Sequence, residues 1–281
     1  MKIGFIDYYL DEPHSNDYHK RLPELSGGKV EVCYAYGEIP APKTGVDSKT
    51  WCETHGVVWC ATPEEVVEKS EGIIVLAPDH SHKHEELADA ALRSGKPVFV
   101  DKTFAPDLAA AERMFTLAEE HNTPLCTFSA LRFAEEYADI DREGITAVSC
   151  WGGGPVDTYS IHQLEPLMML MRAPAEKVLL TQGDEWYTML IHFKDGRKGS
   201  ICGAQKYGKF ANLIKWPGRA LKLEVVSKFF TQSITAIAEF MLSGKPAFDK
   251  RETLWAMAAL TAAMEATEKL DSWVEVPQTK F

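Results

Sequence analysis

The sequence lacks the features that would direct a chain to nucleic acid, to a membrane or to an oxidising compartment. Excess basic charge is missing: 30 Lys plus Arg stand against 41 Asp plus Glu, a formal net charge of -11. A polyanion binder carries the opposite sign or a basic stripe, so no nucleic-acid partner is expected. Long apolar runs are missing too. Ile3–Ile6 and Leu167–Met171 are far too short for a signal peptide core or a membrane span, so no membrane partner is expected. The six cysteines, Cys33, Cys52, Cys60, Cys126, Cys150 and Cys202, form no C-x-x-C pair, so no zinc site is signalled. They read as scattered reduced thiols, small buried residues of a cytoplasmic protein. Repeats and low-complexity tracts are absent. What remains is 281 residues, 45% hydrophobic and 25% charged. That balance excludes disorder, collagen and coiled coil, and the length suggests two domains at roughly 150 residues each.

Strand and helix signals alternate through the first 130 residues. Lys2–Ile6 and Val30–Tyr36 read as strands. Thr62-Pro63-Glu64-Glu65 is a capping box with proline at the first helical position, opening a helix over 63–69. The unbroken apolar run Ile73–Ala77 suits a strand covered on both faces. A helix over 84–94 closes on Gly95, and 97–100 is a further strand. Asp107 caps a helix whose Leu108, Ala111, Phe115 and Ala118 share one face, and 125–128 is a strand. This order predicts an α/β fold, a Rossmann-like doubly wound parallel sheet. Beyond residue 130 the pattern changes. Strands are expected over 178–181, 188–193 and 200–204, with a hairpin turn at Asp195-Gly196, then helices over 227–242 and 252–269 and a strand over 273–276. The second half therefore predicts an α+β domain with a mixed, largely antiparallel sheet. The division expected is 1–130, a dinucleotide-binding-type domain, and 131–281, a substrate and oligomerisation domain. The last helix and strand are placed as candidates for packing back on the first domain.

The stretch Ile73–Thr103, IIVLAPDHSHKHEELADAALRSGKPVFVDKT, runs from a strand through a His-containing loop and a helix to Asp101-Lys102-Thr103. It resembles the Gfo/Idh/MocA oxidoreductases, the glucose–fructose oxidoreductase and inositol dehydrogenase group. There a T-P-N-x-x-H loop leads through A-G-K-H-V to E-K-P. Arg132-Phe133, Tyr159-Ser160-Ile161-His162, Phe193-Lys194-Asp195-Gly196 and 252–276 follow in the family's order and extend the resemblance over nearly the whole chain.

The resemblance implies hydride transfer between a nicotinamide cofactor, NAD or NADP, and a sugar, polyol or related hydroxy compound. It makes Lys102 the group that polarises the substrate oxygen and His162 the acid–base group. An imidazole with an ordinary value near 6.5 suits a proton transfer at neutral pH. It assigns Asp7, Tyr8, Tyr9, Pro78, His84 and Asp101 to the cofactor, and Arg132, Asp157 and Thr158 to the substrate. Counting from Gly95 selects His84 as the loop histidine; counting from Pro78 selects His82. Dimers or tetramers are implied as well. His80, His82 and His84 alternate, but no fourth ligand stands nearby, so no metal is expected.

One departure is large. The first strand should be followed by G-x-G-x-x-G, and Asp7-Tyr8-Tyr9-Leu10-Asp11-Glu12-Pro13-His14 stands there instead. The glycines that let backbone amides approach a diphosphate are missing, and carboxylates crowd the helix end that should attract it. The alternative reading is a family member without dinucleotide binding, acting as a small-molecule binding or regulatory protein or as a cofactor-independent acid–base enzyme.

Overall fold

A computed structural model describes residues 1–204 and 208–281. The described chain divides into two units, residues 1–128 with 233–248, and residues 129–232 with 249–281.

In the first unit the elements run β1 (Lys2–Asp7), α1 (Pro13–Leu25), β2 (Glu31–Gly37), α2 (Ser48–His55), β3 (Val58–Trp59), α3 (Pro63–Lys69), β4 (Gly72–Val75), α4 (Ser81–Leu92), β5 (Val98–Val100), α5 (Leu108–Glu120) and β6 (Leu125–Cys126). Every residue of β1 after Lys2 is buried, as is all of β4 and β5. Continuous burial of this kind is what a parallel strand covered on both faces requires. The sheet order is β3-β2-β1-β4-β5-β6, with every neighbouring pair parallel. The order reverses between β1 and β4. In such sheets ligands bind at the carboxyl ends of the strands beside that reversal. Asp7, Ala77, Pro78, Asp101 and Lys102 all lie at those ends.

Local sequence explains the helices. Thr62 Oγ1 accepts the Glu65 N–H at 3.2 Å, capping α3, and the Asp107 carboxylate accepts the Ala110 N–H at 2.8 Å, capping α5. Gly4 lets α3 lie against β1, because a Cβ there would collide with Val66 and Ser70. Helix α4 begins at Ser81 rather than at residue 84, so His82 and His84 both fall in its first turns. Helices α1 and α2 escaped the sequence reading. α1 carries few apolar residues, and only Ser15, Tyr18 and Leu22 of it are buried.

The second unit contains β7 (Ala147–Gly153), α6 (Val156–Tyr159), α7 (Ile161–Met171), β8 (Ala175–Gln182), β9 (Trp186–Phe193), β10 (Lys198–Ala204), β11 (Ala211–Trp216) and β12 (Arg219–Glu224). After these come α8 (Phe229–Ser243), most of which lies in the first unit, α9 (Lys250–Thr267) and β13 (Trp273–Glu275). The sheet order is β12-β11-β7-β10-β9-β8-β13. β7 and β10 are parallel and the remaining pairs antiparallel. Gly196, at φ 85°, turns the β9–β10 hairpin. Met189, Ile191 and Phe193 face inward and are fully buried under α7 and α9. The other face carries Trp151, Trp186, Leu190, Leu213 and Trp273, all substantially exposed. Strand register puts these five on one side.

The segment of the second half that clusters with the first unit is 233–248. β13 pairs with β8, and α9 and β13 both fall in the second unit.

Candidate functional site

At the carboxyl edge of the first sheet, Asp7 ends β1 with no exposed surface. Its Oδ1 accepts the Ala77 N–H at 2.9 Å, holding Ala77 in the left-handed region at φ 74°. Its Oδ2 is buried without a partner. Burial, with Glu12 as the nearest like charge, pushes the Asp7 carboxyl well above the usual carboxylate range.

Glu12 stands where the missing glycine loop would deliver a diphosphate. It is 4% exposed and is the N-cap of α1. Its carboxylate accepts the His14 N–H at 2.7 Å and the Ser15 N–H. A helix start leaves its first amides without intrahelical partners, and these are what an anion normally binds. Here none is left. The Glu12 N–H donates to Leu10 O at 2.9 Å, Pro13 has no N–H, and the next two amides hold Glu12. Burial raises the Glu12 carboxyl to about 7, against the lowering effect of His14 and the two amides.

Tyr8 and Tyr9 fill the rest of the loop. Their ring centroids lie 5.8 Å apart, and each stands edge-on to His80, at 5.1 and 5.7 Å. Pro78, two residues before His80, is buried. At the end of β5, Asp101 is 1% exposed and bonds His14 Nδ1 at 2.5 Å. Burial works against both charges, yet their mutual attraction wins: His14 is raised and Asp101 lowered from the ordinary values. Lys102, 8% exposed, donates from Nζ to Asp79 Oδ1 at 3.0 Å. One edge thus gathers Asp7, Glu12, His14, Asp79, Asp101 and Lys102. Of these, sequence reading singled out Asp7, Asp101 and Lys102. It counted Glu12 only as unwelcome charge and missed His14, whose partner lies far along the chain.

His84 is fully buried. Burial lowers its basicity, so the ring is neutral and Nδ1 donates to Phe104 O at 3.1 Å. His82 is exposed at the start of α4. Among the described residues no group of three His, Cys, Asp or Glu side chains could hold a metal ion, and no helix is long and apolar enough to cross a membrane.

In the second unit His162 opens α7. Its Nδ1 meets Ser129 Oγ at 2.5 Å, and its ring lies 5.0 Å from Tyr159. Asp157 Oδ1 accepts the Thr158 N–H at 2.8 Å, close before it in sequence. Ser129 is an orienting partner of His162 that the sequence did not single out. Arg132 is 7% exposed. Its guanidinium reaches Glu252 at 2.6 Å and Glu165 at 3.5 Å, and Glu165 Oε2 also accepts the Ser129 N–H at 2.9 Å. Burial raises Glu165 to about 7 despite the opposing pull of Arg132. The chain Arg132–Glu165–Ser129–His162 is continuous, so the arginine assigned to substrate is engaged with two carboxylates.

Comparison with known proteins follows the same lines. Residues 13–128 match the Gfo/Idh/MocA family described as an oxidoreductase family with an NAD-binding Rossmann fold. A stretch of 70 residues is 34% identical to the uncharacterized oxidoreductase YhhX of Escherichia coli (strain K12), covering 25% of this chain and 20% of that protein. The matched stretch thus spans about a fifth of that curated relative. Among solved structures, a probable dehydrogenase from Thermotoga maritima superposes with TM-score 0.81 at 15% identity, covering 98% of each chain. The scyllo-inositol dehydrogenase from Lactobacillus casei with bound NAD(H) and scyllo-inositol gives 0.79 at 15%, again with 98% of each chain. The myo-inositol 2-dehydrogenase from Lactobacillus plantarum gives 0.78 at 13%, covering 99% of this chain and all of the other. At such identities the likeness is one of fold. The first-turn residues, with Glu12 on the α1 amides, do not fit the diphosphate of a dinucleotide. Residues 13–128 thus match the Gfo/Idh/MocA oxidoreductase family, and the whole chain shares its fold with these dehydrogenases.

Proposed function

We propose that the chain is an oxidoreductase acting on a sugar, a polyol or a related hydroxy compound with NAD or NADP. The family match supports the reaction class, and the inositol dehydrogenases that share the fold support the substrate class. The observation that carries the reading is Lys102. It is a nearly buried ammonium at the carboxyl end of a central parallel strand, held by Asp79 at 3.0 Å, where α/β sheets bind ligands.

The roles are proton roles. The Lys102 ammonium donates to the substrate oxygen and stabilises negative charge developing there. His162, with Nδ1 engaged by Ser129, is the proposed acid–base group for the hydroxyl proton. Asp101 and His14 steady the backbone turn that carries Lys102. Tyr8, Tyr9 and Pro78 form the wall of the cofactor side, and His84 anchors α4 to the segment after Lys102. Asp157 and Thr158 lie before the acid–base histidine, on the substrate side. Arg132 acts through Glu165 and Ser129 on the orientation of His162. Glu12 on the α1 amides favours the second reading, an acid–base enzyme that uses no dinucleotide. The exposed face of Trp151, Trp186, Leu190, Leu213 and Trp273 is the proposed contact between copies in a dimer or tetramer. A cytoplasmic location is compatible with the family match.

The test is titration with NADH and NADPH followed by nicotinamide fluorescence, with turnover screened on a panel of inositols and aldoses. Lys102→Ala is expected to keep nucleotide binding and lose turnover. Loss of binding with intact turnover would refute the assignment. Turnover without any nucleotide would favour the second reading.

A further inference from the structure

The proposed cofactor and the first turn of α1 disagree, and the disagreement has one author among the side chains. We infer that the Glu12 carboxylate is an internal competitor for the seat of a dinucleotide diphosphate, so that it sets how tightly this chain takes NAD(H) or NADP(H). The inference rests on the nicotinamide reading above and deepens it.

Three observations carry it. First, the amides are completely used. Glu12 takes those of His14 and Ser15, Pro13 has none, and the Glu12 N–H is held by Leu10 O. A diphosphate arriving here finds no donor unless the carboxylate leaves. Second, the position is built. Glu12 is 4% exposed and Ser15 is wholly buried, with its hydroxyl donating to Leu10 O and Glu12 O. The carboxylate is part of a packed turn. Third, a second acid waits behind it: Asp7 Oδ2 is fully buried and has no partner. A multiply charged phosphate group would meet the Glu12 carboxylate in a buried setting, where like charges repel, and the buried Asp7 acid offers it no amide in exchange.

The charged and titratable groups around Glu12 come from every neighbouring element. Asp7 lies on β1, Tyr9 on the loop, His14 and Tyr18 on α1, and Asp101 at the end of β5. Asp7, Asp101 and burial favour the protonated acid; His14 and the two amides favour the carboxylate. Protonation weakens the hold on the amides and removes the repulsion. The competition is therefore strongest in alkali and relaxes towards pH 6.

The experiment compares full-length wild type with Glu12→Ser and Glu12→Gln. Serine is neutral and remains a good N-cap, so α1 keeps its start; the glutamine variant keeps the shape and loses the charge. Circular dichroism checks the fold of each. NADH and NADPH are titrated at pH 6 and pH 8.5. Inorganic pyrophosphate is tested separately for protection against thermal unfolding. Wild-type affinity is expected to weaken about tenfold or more between the two pH values. At pH 8.5 Glu12→Ser should bind about tenfold or more tighter than wild type, with little pH dependence, and pyrophosphate should protect the variant better than the parent. Equal binding by parent and variants at both pH values overturns the inference and leaves the nicotinamide reading standing. No binding by any of them, at either pH, overturns both.

Discussion

Replacing Arg132 by leucine tests whether the buried network behind His162 is electrostatic in the way its geometry implies. Arg132 sits 2.6 Å from Glu252 and 3.5 Å from Glu165, with 7% of its surface exposed. Removing one partner of a buried pair leaves an uncompensated charge and costs about 3–5 kcal/mol. The cost must depend on pH. In the folded wild type Glu165 titrates at about 7, against an ordinary value of 4.5. A carboxyl raised on folding favours the folded state below its unfolded value, and that advantage is lost as pH rises through the folded one. From this group alone, wild type should lose about 3 kcal/mol of stability between pH 4.5 and pH 8. Without the guanidinium the folded carboxyl moves higher still. Leucine should therefore cost the full amount at pH 8 and clearly less at pH 5.5, where the acid is neutral in the variant. Urea unfolding followed by tryptophan fluorescence at both pH values measures this. A penalty equal at the two pH values, or one below about 1 kcal/mol at pH 8, would refute the reasoning.

Three other outcomes are expected. Gly4→Ala should destabilise by about 1–3 kcal/mol, because the new methyl meets Val66 and Ser70 under α3; an unchanged thermal midpoint would be the contrary result. Ser129→Ala removes the 2.5 Å partner of His162 Nδ1 and should shift the pH profile of turnover and lower kcat by about tenfold or more with little change in KM; a change confined to KM would point to a substrate contact instead. Glutamate in place of both Trp151 and Trp186, which are 57% and 50% exposed on one sheet face, should lower the mass seen by light scattering to that of a single chain. An unchanged oligomer would place the contact elsewhere, and a monomeric parent would remove it.

The parallel sheet was legible because its strands are written as unbroken apolar runs, Ile73–Ala77 above all, with capped helices between them. Thr62 and Asp107 were readable as caps for the same reason: a cap is a local matter of one side chain and an amide three residues on. The last two helices and the 195–196 hairpin followed from period and turn chemistry. What escaped was long-range or unaided by periodicity. α1 has a mostly polar surface, and β11 (ANLIKW) and β12 (RALKLE) show no strict apolar–polar alternation. Lys102 and His162 were singled out through their motif surroundings. His14 paired with Asp101, and Ser129 with His162, could not be, because no sequence period links residues that meet only after folding. The acidic first loop was noticed, but its charge pointed only to repulsion; that Glu12 would take the helix amides needed the backbone.

The passage of residues 233–248 into the first unit bears on how the chain is made. Ile234, Ile237, Phe240 and Met241 are all buried, and Phe248 packs against Phe128 with ring centroids 6.4 Å apart. A nascent polypeptide emerging from the ribosome cannot close its first core when residue 128 appears. It must wait for more than a hundred further residues, with a greasy flank uncovered meanwhile. Synthesis of the first 128 residues and completion of their core are thereby uncoupled.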